Sequence, residues 1–102
     1  MKDNWRENMN LEMSDIDVIV NCSKTAIRII EETDDLKKKL DFSKQEIESA
    51  LNNLLEKNAQ LKDYTILHSI CSFCLEIGGL ENLGLRYDYD TIQQVILNLE
   101  AL

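Results

Sequence analysis

The chain has 102 residues, a formal net charge of −8 and no proline, and 44% of its residues are apolar. This length fits one domain, and the apolar fraction is too high for a disordered acidic segment. The composition excludes collagen-like and disulfide-stabilised classes, and the excess of acidic residues argues against non-specific binding to nucleic-acid phosphates.

The sequence has no sign of membrane insertion or secretion. No apolar run approaches the roughly 20 residues that a membrane-spanning helix needs. Residues 1–7 lack the apolar region of a secretory signal. We therefore expect a cytoplasmic protein, in which the three cysteines are reduced thiols.

The residue pattern predicts an all-α fold, because Leu, Ile, Glu, Lys and Gln are abundant and favour helices. We expect a small bundle of four main helices plus a short helix or turn. Residues 15–102 would form this single helical domain. Residues 1–14 would form an N-terminal amphipathic arm, in which Trp5, Met9 and Met13 recur every four residues.

The first two main helices have recognisable start signals. Ser14 and Asp17 predict a capping box for a helix over residues 15–32, and a short helix is expected to follow from Asp34. Ser43 and Glu46 form a second capping box, for a helix that runs to about residue 57. Asn58 is then expected to end this helix in the left-handed conformation.

The second half of the chain predicts two more helices around one loop. A helix over residues 60–77 should stop at Gly78, and residues 78–89 should form the loop with a short turn. Asp90 and Gln93 are expected to cap the last helix. The predicted core of the whole bundle is Ile16, Ile19, Val20, Ile27, Ile30, Ile47, Leu51, Leu54, Leu67, Ile70, Cys74, Ile92, Ile96 and Leu99.

One helix carries a histidine and two cysteines that have the residue types of a metal site. His68, Cys71 and Cys74 are spaced by three residues, and Cys22 is a candidate fourth ligand. The pattern resembles the His-x-x-x-Cys-x-x-Cys motif of zinc-binding anti-sigma factors, with one residue fewer after the histidine. This resemblance implies a zinc site. The alternative, which we favour, is that Cys71 and Cys74 pack in the core as small apolar residues and that no metal is bound.

Residues 34–47 resemble the short helix, turn and second helix of a helix-turn-helix motif, and residues 50–58 resemble the end of a winged-helix recognition helix. The resemblance implies a dimeric DNA-binding regulator. Its DNA-facing residues would be Lys37, Lys38, Lys39, Lys44, Gln45 and Asn52.

Catalysis has little support, because the chain has a single histidine, no Gly-x-Ser-x-Gly motif and no glycine-rich phosphate loop. Residues 63–102 hold six acidic residues and one arginine, a net charge of −5. We therefore predict a protein-binding module without enzymatic activity or cofactor. Its acidic surface would occupy a basic surface of a partner protein, such as a toxin or a nucleic-acid-handling enzyme.

The composition is also rich in residues that AT-rich codons encode. Phe, Tyr, Met, Ile, Asn and Lys together number 36, whereas Gly, Ala, Arg and Pro together number 10. We therefore expect an inhibitor, anti-defence or immunity-type protein of bacterial, phage or mobile-element origin. A homodimer is left open. The candidate partner-binding residues are Trp5, Met9, Met13, Glu81, Asp88 and Asp90.

Overall fold

A computed structural model describes residues 11–101, and every regular element in this part of the chain is helical. The helices are α1 (Met13–Glu32), α2 (Asp34–Lys37), α3 (Lys44–Leu55), α4 (Leu61–Ile77), a 3₁₀ helix (Leu80–Leu83) and α5 (Tyr89–Glu100). The expectation of an all-α bundle with four main helices is confirmed. Trp5 and Met9, from the predicted arm, lie outside the described residues.

Helix α1 begins two residues earlier than Ser14 and Asp17 predicted. The backbone N–H of Glu12 donates to the Asp15 carboxylate at 2.9 Å, which completes a capping box at this earlier position. The other Asp15 oxygen accepts a bond from the Asn98 amide of α5 at 3.2 Å. The earlier start therefore satisfies both oxygens of a buried carboxylate, whereas Ser14 is exposed to solvent.

Helix α3 begins as predicted but ends at Leu55, about two residues before the predicted end at residue 57. Ser43 and Glu46 form the expected capping box. At the other end Lys57, not Asn58, adopts the left-handed conformation, with φ at 63°. The N–H of Asn58 bonds to the Asn53 carbonyl at 2.7 Å and that of Lys57 to the Leu54 carbonyl at 3.1 Å. This is a Schellman motif, in which the left-handed position lies two residues beyond the last helical residue.

The cap of α5 is also displaced, by two residues. Asp88 is the N-cap residue, and its carboxylate accepts the N–H of Thr91 at 2.9 Å. Asp90, which was expected to cap the helix, lies exposed in the first turn. Its negative charge is favourable there because the positive end of the helix dipole is nearby.

Helix α4 lies at the centre of the bundle, since α1, α3 and α5 all pack against it. All nine residues predicted for the core in α3, α4 and α5 are buried. The prediction for α1 was mostly wrong, since Ile19 is buried but four expected residues are only half-buried: Ile16, Val20, Ile27 and Ile30. In their place α1 buries Val18, Cys22, Ala26 and Ile29. Because α1 contacts every other helical element, its buried face is wider than one stripe.

Candidate functional site

The loop before α5 is fixed to α1 by one asparagine. The buried Asn21 donates through Nδ2 to the Gly84 carbonyl at 2.9 Å and accepts from the Arg86 N–H through Oδ1 at 2.8 Å. Gly84 has φ at 102°, a conformation that residues with a Cβ rarely adopt. Both hydrogen bonds hold backbone groups, so the loop has one defined position against α1.

This fixed loop leads into an exposed acidic surface at the start of α5. Leu80 and Leu85 are buried and hold the loop on the core. Asp88, Tyr89 and Asp90 follow at the surface, and Tyr89 is 63% exposed. We call these three residues the α5 entry surface. Glu81 is exposed on the 3₁₀ helix earlier in the same segment.

The charges around the α5 entry surface come mostly from carboxylates. Hydrogen bonds from the Thr91 hydroxyl and backbone amide lower the pKa of the Asp88 carboxyl below its ordinary value. The one basic residue of this segment, Arg86, lies over the Tyr87 ring, with its guanidinium carbon 5.9 Å from the ring centroid. Arg86 is itself exposed, so this segment presents the carboxylates of Asp88 and Asp90 together with one guanidinium to solvent.

Two acidic residues that the sequence grouped with this surface have internal partners instead. Asp63 is buried, and its carboxylate accepts the Gln60 N–H at 2.9 Å and the Asn53 amide at 3.2 Å. Glu100 pairs with the imidazole of His68 at 2.9 Å. Two of the six acidic residues in 63–102 therefore bond to other groups of the chain, and the acidic surface available to a partner protein is smaller than the sequence indicated. Among the other predicted contact residues, Met13 is 75% exposed in the first turn of α1.

The residues of the predicted DNA-binding face are exposed, but one of them is already paired. Lysines 37–39, Gln45 and Asn52 are all exposed. The Lys44 ammonium lies 2.6 Å from the Glu31 carboxylate, which raises the pKa of Lys44. Helix α2 is a single turn, and residues 38–43 make a longer connection than the roughly three or four residues of a helix-turn-helix turn.

The three cysteines come together in the core, between α1 and α4. Cys22, Cys71 and Cys74 are each at most 1% exposed, and all three are free thiols. The Cys22 sulfur accepts hydrogen bonds from the thiols of Cys71 and Cys74, which lowers the pKa of Cys22 to about 5. The same contacts, together with burial, raise the pKa of Cys71 and of Cys74. The Cys74 sulfur also lies 3.6 Å from the Cys22 carbonyl oxygen.

His68 does not join the cysteines. Its imidazole is half-buried and bonds to Glu100 of α5. Among residues 11–101, no set of three or more His, Cys, Asp or Glu side chains has an arrangement that could hold a metal ion. Cys71 and Cys74 lie in the core, as their positions in the α4 stripe indicated.

Sequence reasoning missed Asn21 and Tyr89. A polar amide between the apolar positions of α1 was a signal for a buried partner, but the partner lies more than 60 residues away in the chain. Tyr89 was not among the predicted contact residues, because the predicted cap was Asp90. Its exposure became evident once Asp88 rather than Asp90 proved to be the cap.

No helix within residues 11–101 has both the length and the apolar character required to cross a bilayer. Comparison with family models, with curated proteins and with solved structures found no match.

Proposed function

We propose that this chain is a non-catalytic protein-binding module that occupies a basic surface of a partner protein through the α5 entry surface. The observation that carries the proposal is Tyr89, a large exposed side chain between two exposed aspartates at the start of a helix. Tyrosine is one of the residues that most often supplies binding energy at protein interfaces. Flanking carboxylates favour a partner with Lys or Arg around the pocket that receives the ring.

The anchoring of the loop supports this proposal because a fixed surface loses little conformational freedom on binding. Asn21 holds the Gly84 carbonyl and the Arg86 amide, and Leu85 is buried between them. Ordering a flexible loop at an interface lowers affinity, so a surface that is ordered beforehand binds more tightly with the same contacts. The acidic groups then speed association by long-range attraction, an effect that salt weakens.

A partner with a basic functional surface fits this chemistry, and a toxin or a nucleic-acid-handling enzyme has such a surface. The module would then act as an inhibitor or immunity-type protein by covering that surface. A bacterial, phage or mobile-element source and a cytoplasmic location remain part of the same proposal, on the composition described above. Met13 extends the proposed contact surface only if the partner also reaches the start of α1.

The alternative, a helix-turn-helix regulator, draws less support from the surface of α3. Lys44 is neutralised by Glu31, and the exposed side of the helix also carries Glu46 and Glu48. Carboxylates on that side repel phosphate. An electrophoretic mobility shift at low salt tests this alternative, which requires binding that weakens steeply as salt rises.

The α5 entry surface is tested by affinity capture with matched variants. Purified chain, Tyr89→Ala and Leu61→Ala are immobilised and exposed to nuclease-treated lysate, and the retained proteins are compared by quantitative mass spectrometry. Leu61 is the control because it is 79% exposed and lies at the start of a different helix. We expect a protein that is retained by the parent chain and Leu61→Ala and lost with Tyr89→Ala. Equal retention by both variants would contradict the proposal.

The electrostatic part is tested by association kinetics with the retained protein. Charge reversal at Glu81 and Asp90 leaves the hydrogen bond between the Asp88 carboxylate and the Thr91 N–H in place at the start of α5. We expect slower association and a weaker dependence of the association rate on salt. Glu48→Lys on α3 adds the same kind of charge change elsewhere and should have a smaller effect. Identical kinetics for all variants would refute steering by the α5 entry surface.

A further inference from the structure

The helices occur in the same order and with nearly the same lengths in the two halves of the described chain. Helices α1, α2 and α3 have 20, 4 and 12 residues, and α4, the 3₁₀ helix and α5 have 17, 4 and 12 residues. We call residues 12–55 the first unit and residues 60–100 the second unit. Each unit begins at the N-cap of its long helix, so positions in the two units can be compared by counting from the helix starts.

The two short helices of these units bury the same positions. Helices α3 and α5 each bury their fourth, seventh, eighth and eleventh residues. In α3 these are Ile47, Ala50, Leu51 and Leu54, and in α5 they are Ile92, Val95, Ile96 and Leu99. The helical period fixes the spacing within a buried face but not the position at which that face begins, so the agreement exceeds what amphipathic helices require.

The two long helices agree in the same way. The third, seventh, tenth, eleventh and fourteenth residues are buried in both α1 and α4. In α4, whose buried set this is, they are Asp63, Leu67, Ile70, Cys71 and Cys74, and in α1 they are Asp15, Ile19, Cys22, Ser23 and Ala26. Helix α1 also buries Val18, Asn21, Thr25 and Ile29, and it contacts the 3₁₀ helix of the second unit.

A reciprocal pair of hydrogen bonds joins the two units. Asp15, the third residue of α1, accepts the amide of Asn98 in the second unit at 3.2 Å. Asp63, the third residue of α4, accepts the amide of Asn53 in the first unit at 3.2 Å. Asn53 and Asn98 are each the tenth residue of their helix. Both aspartates are buried, and each also completes the capping box of its own helix.

We infer that this chain consists of two copies of one helical unit, and that the surface of each unit is fitted to a second copy of that unit. In an interface between identical subunits related by a two-fold axis, residue i of one contacts residue j of the other and the reverse contact is also made. The aspartate of each long helix and the asparagine of each 12-residue helix have these two roles here. The order of the units in the chain should therefore be interchangeable.

The first test is a circularly permuted chain in which the second unit precedes the first. It runs from Ala59 to Glu100, continues through a copy of residues 56–59 and ends with residues 12–57. That copy should be long enough, because Asn98 holds the end of α5 at the start of α1 in the register in which Asn53 holds the end of α3 at the start of α4. We expect a cooperative thermal transition and the helical content of the parent bundle by far-UV circular dichroism.

The matched control has the same join but is opened between Gly78 and Gly79, inside the second unit. Both permuted chains lack the same terminal residues, so they differ in whether the opening separates the units or divides one of them. We expect the higher thermal midpoint for the chain that is opened between the units. A higher midpoint for the chain that is opened inside a unit would overturn the proposal.

The second test keeps the parent order and decides the proposal even if a permuted chain fails to fold. Double-mutant cycles are measured by urea unfolding for Asp15→Ala with Asn98→Ala and for Asp63→Ala with Asn53→Ala. Residues in contact are not additive, whereas independent sites are. We expect both double variants to shift the urea midpoint by less than the sum of their single variants. Asp15→Ala with Asn53→Ala, taken from different pairs, is the control and should be additive. Coupling in only one of the two pairs, or in neither, would overturn the proposal.

Discussion

Replacement of Asn21 by alanine removes both hydrogen bonds that fix the loop before α5. The Gly84 carbonyl and the Arg86 N–H would lose their side-chain partner in a half-buried place. Each bond contributes about 0.5–1.5 kcal/mol, so we expect Asn21→Ala to lower the free energy of unfolding by about 1–3 kcal/mol. In a domain of this size each kcal/mol lowers the thermal midpoint by about 4–8 °C.

The assay combines global and local measurements. Urea unfolding followed by far-UV circular dichroism gives the free energy of unfolding, and amide hydrogen exchange by NMR reports on the Arg86 N–H. We expect faster exchange at Arg86 in Asn21→Ala. Asn52→Ala is the control, because Asn52 is exposed in α3 and its removal should change stability by less than about 0.5 kcal/mol. Equal stability of the two variants, with unchanged exchange at Arg86, would refute the anchoring role of Asn21.

Three further substitutions test single features by urea unfolding. Lys57→Gly should stabilise the fold by about 0.5–1 kcal/mol, because glycine adopts the left-handed conformation at this position without the steric strain of a Cβ. Lys62→Gly, in α4, is the control and should destabilise the fold. A loss of stability in Lys57→Gly would contradict the Schellman geometry. Ser23→Ala should stabilise by about 1 kcal/mol, since the buried Ser23 hydroxyl has no hydrogen-bond partner among residues 11–101, and a lower free energy of unfolding would reveal one. Gly84→Ala should cost about 1–3 kcal/mol, because φ is 102° and the added Cβ would lie 3.3 Å from the Arg28 guanidinium; parent-like stability would show that the loop adapts.

The features that the sequence predicted well are those set by neighbouring residues. The capping box of α3 lies within four consecutive residues, Ser43 to Glu46, and Gly78 ends α4 with a positive φ. The buried faces of α3, α4 and α5 also followed from their apolar spacing. Helices α3 and α5 each have a polar side that separates core positions from surface positions, so the helical period was sufficient there. Helix α4 has few exposed residues, and its predicted residues are buried because three helices pack around it.

The features that it missed depend on contacts between distant segments. The face of α1 was misassigned because apolar residues occur on several of its sides, and only its neighbours decide which of them are buried. Asp15 takes its second partner from Asn98, 83 residues later. Asn21 reaches the loop before α5 over a similar range. No local pattern contains these partners, and the loop that leads into the proposed contact surface is held by the second of them.

The place of α1 in the chain has a consequence during synthesis. It leaves the ribosome before α4 and α5, which cover much of its buried face in the folded bundle. Helices α3 and α4, by contrast, are separated by a short turn and can pair as soon as both have emerged. The apolar residues of α1 thus stay uncovered while the intervening segments are translated. In that interval the nascent chain is most prone to aggregate and most in need of a chaperone.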